Sequence, residues 1–337
     1  MNSKFILSQS KVITQYNLLK KYCDTVSYSF KTNPEVGNIL KEKTNCNFSV
    51  HSIDSVNQLN CTNRLWYFTQ GLNKENVNEL LSKGVTKYVV DNINDLNILL
   101  DNLYNQKIDL LLRMKLKEHT IHTGKHFVYG MFSKKINELL PLLKQNKNIT
   151  KLGIHFHRKT QNVSEWNLLE ELTDSINNWD LIDIVNIGGG LPSIYKNFRH
   201  EVLESIFKKI SKLKEFLNNK NIEMIIEPGR FIAAPSVTLN AHIINIYDNN
   251  IIVDCSIFNA ALDTWISHIR LLVQDELEKG ESFTIKGITP DSADIFRYKV
   301  YLDRAKVKDK IIFLNAGAYN FSTNFCNLKK IPTVIVD

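Results

Sequence analysis

One unit repeats eight times between residue 26 and about residue 230, and this repeat constrains the fold more than any other feature of the sequence. Each unit is a short β-branched or aromatic run followed by an amphipathic helical stretch. This alternation is typical of parallel strands joined by crossover helices. Eight such units in about 200 residues predict a (β/α)8 barrel of the TIM type, an α/β fold. The eight runs are VSYSFK (26–31), NFSV (47–50), LWYFT (65–69), KYVV (87–90), DLLLRM (109–114), LGIHF (152–156), DIVNI (183–187) and EMIIE (223–227).

The residue pattern of the sequence changes after Pro235, where helical patterns are replaced by extended runs. These runs are VTLNAHIINIY, NIIVDC, SFTIK, IFRYKVYL, KIIFL and IPTVIV. They predict a second, mostly β domain. We therefore divide the chain into a barrel domain, residues 1–235, and a C-terminal β-sheet domain, residues 236–337.

Charge and cysteine content exclude several classes of protein. The 337 residues include 42 lysines and arginines against 35 aspartates and glutamates, which gives a net charge of +7. The basic residues are spread along the chain, which argues against a nucleic-acid partner and favours anionic small molecules. Five scattered cysteines without a CxxC pair indicate neither a disulfide framework nor a metal site. Because no apolar run has the length of a signal peptide or membrane span, we expect a soluble cytoplasmic protein without a membrane partner.

The residues that close the predicted strands are the candidates for chemistry, because the active site of a βα barrel lies at the carboxyl ends of its strands. Lys31 ends the first run, Arg113 lies in the fifth, and His157 follows the sixth. Three glycines, residues 188–190, follow the seventh run, and Glu-Pro-Gly-Arg, residues 227–230, closes the eighth. Taken singly, each has an ordinary interpretation: a solvated lysine, a structural histidine, a tight turn or a local ion pair.

Taken together, these groups match what pyridoxal phosphate requires of a protein. The Lys31 amine can bond to the aldehyde carbon of the cofactor. A carboxylate such as Glu227 beside the pyridine nitrogen favours the protonated ring. Glycine N–H groups and the Arg230 guanidinium can bind the phosphate. The sequence thus predicts pyridoxal phosphate as the cofactor and no metal.

Seven motifs, spread in order over nearly the whole chain, resemble those of the fold type III pyridoxal phosphate-dependent decarboxylases, which act on ornithine, arginine, lysine and diaminopimelate. The resemblance implies a barrel with a C-terminal β domain, decarboxylation of a small amino-acid substrate, and a head-to-tail homodimer with shared active sites. The motifs are YSFKTNP (28–34), GIHFHRKTQ (153–161), VNIGGGLP (185–192), IIEPGRFIAAPS (225–236), VDCSIFNA (253–260), GITPDSADIF (287–296) and NAGAYNF (315–321).

The resemblance also implies roles for individual residues. It implies that Lys31 holds the cofactor, His157 stacks on its ring and Glu227 pairs with the ring nitrogen, so that these three are the catalytic residues. At the far end of the substrate it places Asp254, together with Asp291, which would reach the site of the partner subunit. Either aspartate could instead cap a turn. The residues implied for the phosphate are Thr160, Gly189, Gly190, Arg230 and Tyr319, with Thr160 standing where the family usually has serine.

Two positions depart from the family pattern. Pro290 stands where the family has the cysteine that donates the last proton, and Ser49 replaces an acidic residue usual in the second strand. Neither Cys255 nor Cys326 inherits the donor role by motif. Three outcomes remain open: another donor such as water or His157, a changed substrate, or a protein that binds the cofactor without efficient decarboxylation. We favour a changed substrate.

Additional cations around the predicted barrel mouth bear on the identity of the substrate. They can bind carboxylates at its distal end, or they form a solvated basic rim. Asp291 favours a distal ammonium instead. We therefore predict decarboxylation of ornithine, lysine or diaminopimelate, as in polyamine biosynthesis, or of an anionic conjugate such as a citryl-diamino acid in siderophore assembly. A non-catalytic cofactor-binding homologue and an amino-acid racemase are the alternatives. The cations assigned to substrate binding are Arg113, Arg158 and Lys159, and the others in this set are Lys115, Lys117, His119 and His122.

Overall fold

After a first strand, β1 (Lys4–Ser8), and a first helix, α1 (Gln9–Lys20), the chain forms eight parallel strands that close into a barrel. The computed structural model describes residues 2–116, 129–198, 201–320, 323 and 325–337. Each barrel strand pairs with the next, and the last pairs with the first to close the ring. Each predicted run overlaps one of these strands, so the (β/α)8 prediction is confirmed. The strands are β2 (Thr25–Ser29), β3 (Asn47–Val50), β4 (Leu65–Phe68), β5 (Lys87–Val90), β6 (Ile108–Arg113), β7 (Ile149–His155), β8 (Ile184–Asn186) and β9 (Glu223–Ile226).

Helices follow the barrel strands, and the first of them begins three residues after the candidate lysine. The Asn33 side chain accepts hydrogen bonds from the N–H groups of Glu35 and Val36, and Pro34 occupies the first helical position. This cap fixes the chain two residues beyond Lys31. Within the described ranges, no helix combines the length and the apolar character that a membrane crossing requires. The helices are α2 (Pro34–Lys43), α3 (Ile53–Leu59), α4 (Lys74–Ser82), α5 (Ile93–Asp101), α6 (Ser133–Lys144), α7 (Leu168–Ser175), α8 (Leu203–Asn218) and α9 (Arg230–Ala233).

Apolar side chains from five different strands fill the interior of the barrel. They form one buried cluster, and Phe68 packs against it. The barrel is therefore a packed core and not a channel, so that a ligand binds at its end. The members of the cluster are Trp66, Val89, Leu111, Ile184 and Ile225.

The second domain is a β-sheet, as predicted, and each of the six extended runs after Pro235 contains a strand. The elements are β10 (Val237–Tyr247), β11 (Asn250–Val253), α10 (Ile257–Ala260), α11 (Asp263–Ile266), β12 (Leu272–Val273), β13 (Glu281–Lys286), β14 (Ile295–Leu302), β15 (Lys310–Leu314) and β16 (Thr333–Val336). The strand order is β12-β15-β10-β11-β13-β14. Only two residues form β12, too few to give a readable pattern in the sequence.

Strand β1 belongs to this second sheet although it opens the chain. It pairs antiparallel with β10 on one side and parallel with β16 on the other. Phe5 and Leu7 are buried, whereas Lys4 is exposed. Five residues directly before a helix are a short pattern, which is why the strand escapes prediction. The division of the chain at residue 235 stays a prediction, and residues 4–8 pair with the second sheet and not with the barrel.

Candidate active site

Lys31 lies at the carboxyl end of β2, in a single 3-10 turn formed by Phe30–Thr32. Phe30 and Thr32 are buried, whereas the Lys31 side chain is exposed. A residue of the second domain holds this turn, because the Tyr319 N–H donates to the Thr32 carbonyl at 3.1 Å. Burial and the positive charge of Lys31 together lower the pKa of His51, which follows β3. The Lys31 amine therefore faces the space at the carboxyl ends of the barrel strands.

Glu227 follows β9, and three side chains hold its buried carboxylate. Ser49 Oγ donates to Oε1 at 2.6 Å, Asn186 Nδ2 donates to Oε1 at 2.9 Å, and His155 Nε2 lies 3.1 Å from Oε2. Burial acts to raise the pKa of Glu227, but His155 and the Ser49 hydroxyl outweigh burial and lower the pKa to about 2. Burial lowers the pKa of His155, so we assign a neutral ring that donates through Nε2–H. Glu227 is therefore ionised at neutral pH.

His157 lies two residues after His155, beyond the end of β7. The Gly189 N–H donates to His157 Nδ1 at 3.2 Å. A ring nitrogen that accepts a hydrogen bond carries no proton, so the proton of this ring is on Nε2. Solvent reaches the ring, but the protein atoms packed around it and the charge of Arg113 lower its pKa, which agrees with a neutral ring. Ligand atoms of His155, His157 and Glu227 lie within 4.8 Å of one another, a spacing that a metal ion could also use.

The three glycines after β8 lie against the ends of the neighbouring strands. A Cβ at Gly188 would lie 2.2 Å from the Phe156 carbonyl oxygen, and one at Gly189 would lie 2.6 Å from the Glu227 carbonyl oxygen. Gly190 has a φ of +96°, a backbone conformation that residues with a side chain rarely adopt. The loop is therefore more than a tight turn: it approaches His157 and Glu227 as closely as a backbone can.

Arg230 opens α9, and its buried guanidinium contacts side chains from four other parts of the chain. Nε donates to Thr160 Oγ1 at 3.1 Å, and Nη1 donates to the Tyr195 hydroxyl at 3.0 Å. Nη1 also donates to the Asp263 carboxylate. The ring centroid of Tyr319 lies 5.1 Å from the guanidinium carbon. The structure thus brings together three of the residues predicted to bind phosphate, Thr160, Arg230 and Tyr319.

The two aspartates predicted to bind substrate lie in the second domain, and both make local contacts. The Asp254 carboxylate accepts hydrogen bonds from Ser3 Oγ and, at 2.7 Å, from the His242 N–H. This side chain, directly after β11, therefore contacts β10 and the residue directly before β1. Asp291 is exposed, and its Oδ1 accepts a hydrogen bond from the Ala293 N–H at 2.7 Å. Asp291 caps a turn, and its charge still faces solvent.

The predicted cations divide into two groups. Arg113 closes β6 and contributes to lowering the pKa of both active-site histidines, after the effect of burial, so its charge faces the site. Arg158, in contrast, is 1% exposed and binds the Glu171 carboxylate. Lys159 pairs with Glu165 at 3.4 Å. The structure therefore does not bring Arg158 to a basic rim, because the internal carboxylate of Glu171 holds it. Lys115 is partly buried, and the remaining members of the set, Lys117, His119 and His122, lie outside the described residues.

Sequence reasoning missed four residues that build the site. His155 had a usable signal, because it lies two positions before His157 and so points to the same side of the strand. Asn186 lies inside the glycine motif but was not singled out. Tyr195 and Asp263 gave no local signal, since they meet Arg230 only through the fold. The interpretation of Glu-Pro-Gly-Arg as a local ion pair is not what the structure shows, because the carboxylate partner of Arg230 is Asp263.

This barrel, with a lysine, an ionised glutamate, a neutral histidine and an arginine-glycine cradle at one end, defines a pyridoxal-binding barrel protein. Residues 9–234 match the family model described as "Pyridoxal-dependent decarboxylase, pyridoxal binding domain". The chain therefore belongs to the pyridoxal-dependent decarboxylase family.

Similar proteins agree with this assignment. Ornithine decarboxylase of Saccharomyces cerevisiae is 25% identical over 260 residues, which are 72% of this chain and 54% of the yeast protein, so the chain matches about half of that relative's length. Diaminopimelate decarboxylase from Helicobacter pylori, complexed with L-lysine, superposes with a TM-score of 0.84 at 17% identity, covering 100% of this chain and 92% of that one. Lysine/ornithine decarboxylase from Vibrio vulnificus, complexed with putrescine, gives 0.81 at 20% identity, covering 99% and 94%. At these identities the two solved structures show the shared fold.

The residues present fit pyridoxal phosphate. An ionised carboxylate, Glu227, is available for a protonated ring nitrogen, and a neutral imidazole, His157, is available for the ring face. The backbone at Gly189 lies so close to Glu227 and His157 that a Cβ there would clash with both residues. The hydroxyl of Thr160 and the guanidinium of Arg230 supply the donors that a phosphate requires.

Proposed function

We propose that this protein is a pyridoxal phosphate-dependent decarboxylase that removes the α-carboxylate of a diamino acid. The observation that carries the proposal is the ionised Glu227 at the carboxyl ends of the strands, held by Ser49, Asn186 and His155. A carboxylate kept ionised by buried donors stabilises a cationic pyridine ring. A protein that merely stored the cofactor would have no need of this arrangement.

Lys31, His157 and Glu227 have separate roles around the ring of the cofactor. When bound, pyridoxal phosphate supplies an electron sink for the electron pair that remains after CO2 departs. Lys31 provides an exposed amine that would hold the cofactor by its aldehyde carbon. His157, neutral and fixed by the Gly189 N–H, offers a flat ring face for stacking. Glu227 would favour a proton on the ring nitrogen of the bound cofactor.

The residues at the phosphate end of the site would supply the binding energy for the cofactor. Arg230, Thr160 and Tyr319 would hold the phosphate, with backbone N–H groups of the glycine loop beside them. These residues lie on α9, on the segment after β7 and in the second domain. Cofactor binding would therefore connect both domains of the chain.

The described contacts favour a free diamino acid over an anionic conjugate. Two of the predicted rim cations, Arg158 and Lys159, pair with Glu171 and Glu165. Arg113 alone among the three assigned cations faces the site. Solved structures of similar fold hold putrescine, cadaverine or L-lysine, which carry an amine at each end. Decarboxylation of ornithine or lysine would yield such a diamine, a step of polyamine biosynthesis.

We further propose a homodimer in which Asp291 serves the site of the partner subunit. Its carboxylate is exposed on a turn, with Oδ1 bound to the Ala293 N–H, and can meet a distal ammonium. Mixing two inactive variants tests this arrangement. A heterodimer of one K31A subunit and one D291A subunit has one intact site, so we expect activity to return on mixing.

The five cysteines are all free, which supports a reducing compartment such as the cytoplasm.

One observation favours a second candidate, a homologue that binds the cofactor without turnover. Pro290 cannot donate the final proton, and Cys255 is no substitute, because burial raises the pKa of its thiol. An amino-acid racemase would instead require an acid and a base on opposite ring faces. Release of CO2 separates decarboxylation from both alternatives.

The test is CO2 release with pyridoxal phosphate from ornithine, lysine, arginine, diaminopimelate and citryl-ornithine, with the amine product identified by mass. We expect release from one of the free diamino acids and none from the K31A variant. Lys212→Ala, on the exposed outer face of α8, is the matched control and should retain activity. Cofactor binding without CO2 from any substrate would support the non-catalytic candidate, and inversion at the α-carbon without CO2 would support a racemase.

A further inference from the structure

The guanidinium predicted to bind the cofactor phosphate already has an anionic partner within the chain. Asp263 accepts a hydrogen bond from Arg230 Nη1, and the two side chains are about equally buried, with 4% and 5% of their surface exposed. Among the described residues, Asp263 is the only acidic side chain that forms an ion pair with Arg230. The family motifs identified in the sequence do not include this aspartate.

Arg230 is held in place by other contacts as well. Thr160 Oγ1 accepts from Nε, the Tyr195 hydroxyl accepts from Nη1, and the rings of Tyr195 and Tyr319 lie 5.6 and 5.1 Å from the guanidinium carbon. Burial raises the pKa of Tyr195 to about 12, so this hydroxyl stays neutral. The negative charge beside Arg230 therefore comes from Asp263, and the position of Arg230 does not depend on it.

A phosphate that reaches Arg230 meets an arginine whose charge is already balanced. Two anions that share one guanidinium lie close together, and in a site shielded from water their repulsion is screened only weakly. The phosphate gains less from Arg230 than it would from an uncompensated cation. Without the cofactor, in contrast, Asp263 stabilises a buried arginine that would otherwise lack a counterion.

We propose that Asp263 competes with the cofactor phosphate for Arg230 and so sets the affinity for pyridoxal phosphate. Asp263 is the counterion of Arg230 in the cofactor-free protein and weakens phosphate binding in the loaded one. It is an affinity-determining residue that acts through Arg230 and not on the reacting atoms. The inference rests on the proposed cofactor site.

The test is an equilibrium titration of cofactor-free protein with pyridoxal phosphate and, separately, with pyridoxal, which lacks the phosphate. Asp263→Asn removes the charge and keeps an oxygen that can accept from Arg230. We expect this variant to lower the Kd for pyridoxal phosphate about tenfold, a typical size for relief of one close charge repulsion. The Kd for pyridoxal should be unchanged. Asp263→Glu, which keeps the charge, should bind both ligands like the wild type, as should the control Asp180→Asn on the exposed turn before β8.

Thermal denaturation gives a readout that is independent of affinity. Without cofactor, the Asp263→Asn protein should melt below the wild type, because Arg230 lacks its counterion. Pyridoxal phosphate should raise its melting temperature more than that of the wild type, because the phosphate replaces the missing charge. Asp263→Ser is a second neutral variant that should behave in the same way.

Three results would overturn the inference: weaker pyridoxal phosphate binding in both neutral variants, an equal change in the Kd for pyridoxal, or failure of both neutral variants to fold with the cofactor present. A wild-type protein that binds pyridoxal phosphate no better than pyridoxal would contradict the proposed cofactor site itself. The wild-type titration therefore separates failure of the proposed function from failure of this inference.

Discussion

His155 Nε2 lies 3.1 Å from Glu227 Oε2, and both side chains are buried below the mouth of the barrel. The pair joins β7 to β9 across the end of the barrel, and β8 contributes Asn186 between them. His155 Nδ1 is buried and has no hydrogen-bond partner among the described residues, so the ring is held through Nε2 and by an edge contact with Phe68, 5.0 Å between centroids. The histidine therefore orients the glutamate from a buried position.

Replacing His155 should weaken catalysis through Glu227. His155→Ala removes a side chain that orients the carboxylate, so Glu227 should lie less often where it can pair with the ring nitrogen. We expect kcat to fall about tenfold, with little change in KM. His155→Gln, whose amide can donate from a similar position, should restore much of the loss. An equal loss in both variants would contradict the positioning role.

Glu227 should make the folded protein sensitive to acid within a defined pH window. Its pKa is lowered from 4.5 to about 2 in the folded state. A lowered carboxyl pKa stabilises the fold above the unfolded-state value, and this stabilisation is lost as the pH falls through the folded value. The free energy of unfolding should therefore fall by a few kcal/mol between about pH 4.5 and 2. Urea denaturation of Glu227→Gln should show a shallower decline over this window, whereas the control Glu75→Gln, exposed on α4, should follow the wild type.

A side chain at Gly189 should disrupt the cofactor cradle. A Cβ there would lie 2.6 Å from the Glu227 carbonyl oxygen and 3.1 Å from His157 Cε1. We expect Gly189→Ala to destabilise the protein by roughly 1–3 kcal/mol and to weaken cofactor binding, as measured by thermal denaturation and titration. Gly71→Ala is the control, because φ +72° strains the backbone there but no atom lies within 4 Å. A similar loss of cofactor binding in both variants would show that the close approach at Gly189 is unimportant.

Arg113 at the end of β6 should affect substrate binding, whereas Arg158 after β7 should affect stability. Arg113→Gln should raise KM several-fold with little loss of stability, because the charge of Arg113 faces the histidines of the site. Arg158→Gln should lower the melting temperature and leave KM unchanged, because it removes the buried guanidinium that pairs with the partly exposed Glu171 carboxylate. Steady-state kinetics and thermal denaturation of the two variants check both statements. A selective effect of Arg158→Gln on KM would return that residue to the substrate site.

The sequence predicts the barrel well, because each strand and helix leaves a periodic pattern within a short window. It also predicts which strand ends matter, since the carboxyl ends of parallel strands meet at one edge. Lys31, His157 and Arg230 follow from that rule. Strand β1 cannot be predicted in this way, because its partners β10 and β16 lie more than 200 residues away and its own five residues show little pattern.

Buried ion pairs were the main features that the sequence could not predict. Charged residues are usually solvated, so the sequence predicts Arg158 as part of an exposed basic set. Its partner Glu171 lies 13 residues away and the partner of Arg230 lies 33 residues away. No local spacing rule links such positions. Only the folded chain shows that Asp263 and Glu171 neutralise these two arginines.

The central claim is that Lys31 holds the cofactor at the mouth of this barrel. Incubation with pyridoxal phosphate, reduction with borohydride and peptide mass spectrometry test that claim most directly, because reduction makes the lysine-cofactor bond permanent. We predict one modified lysine, Lys31, and loss of the modification in Lys31→Ala but not in Lys212→Ala. Modification of a different lysine, or an unmodified protein that binds the cofactor tightly, would contradict the account.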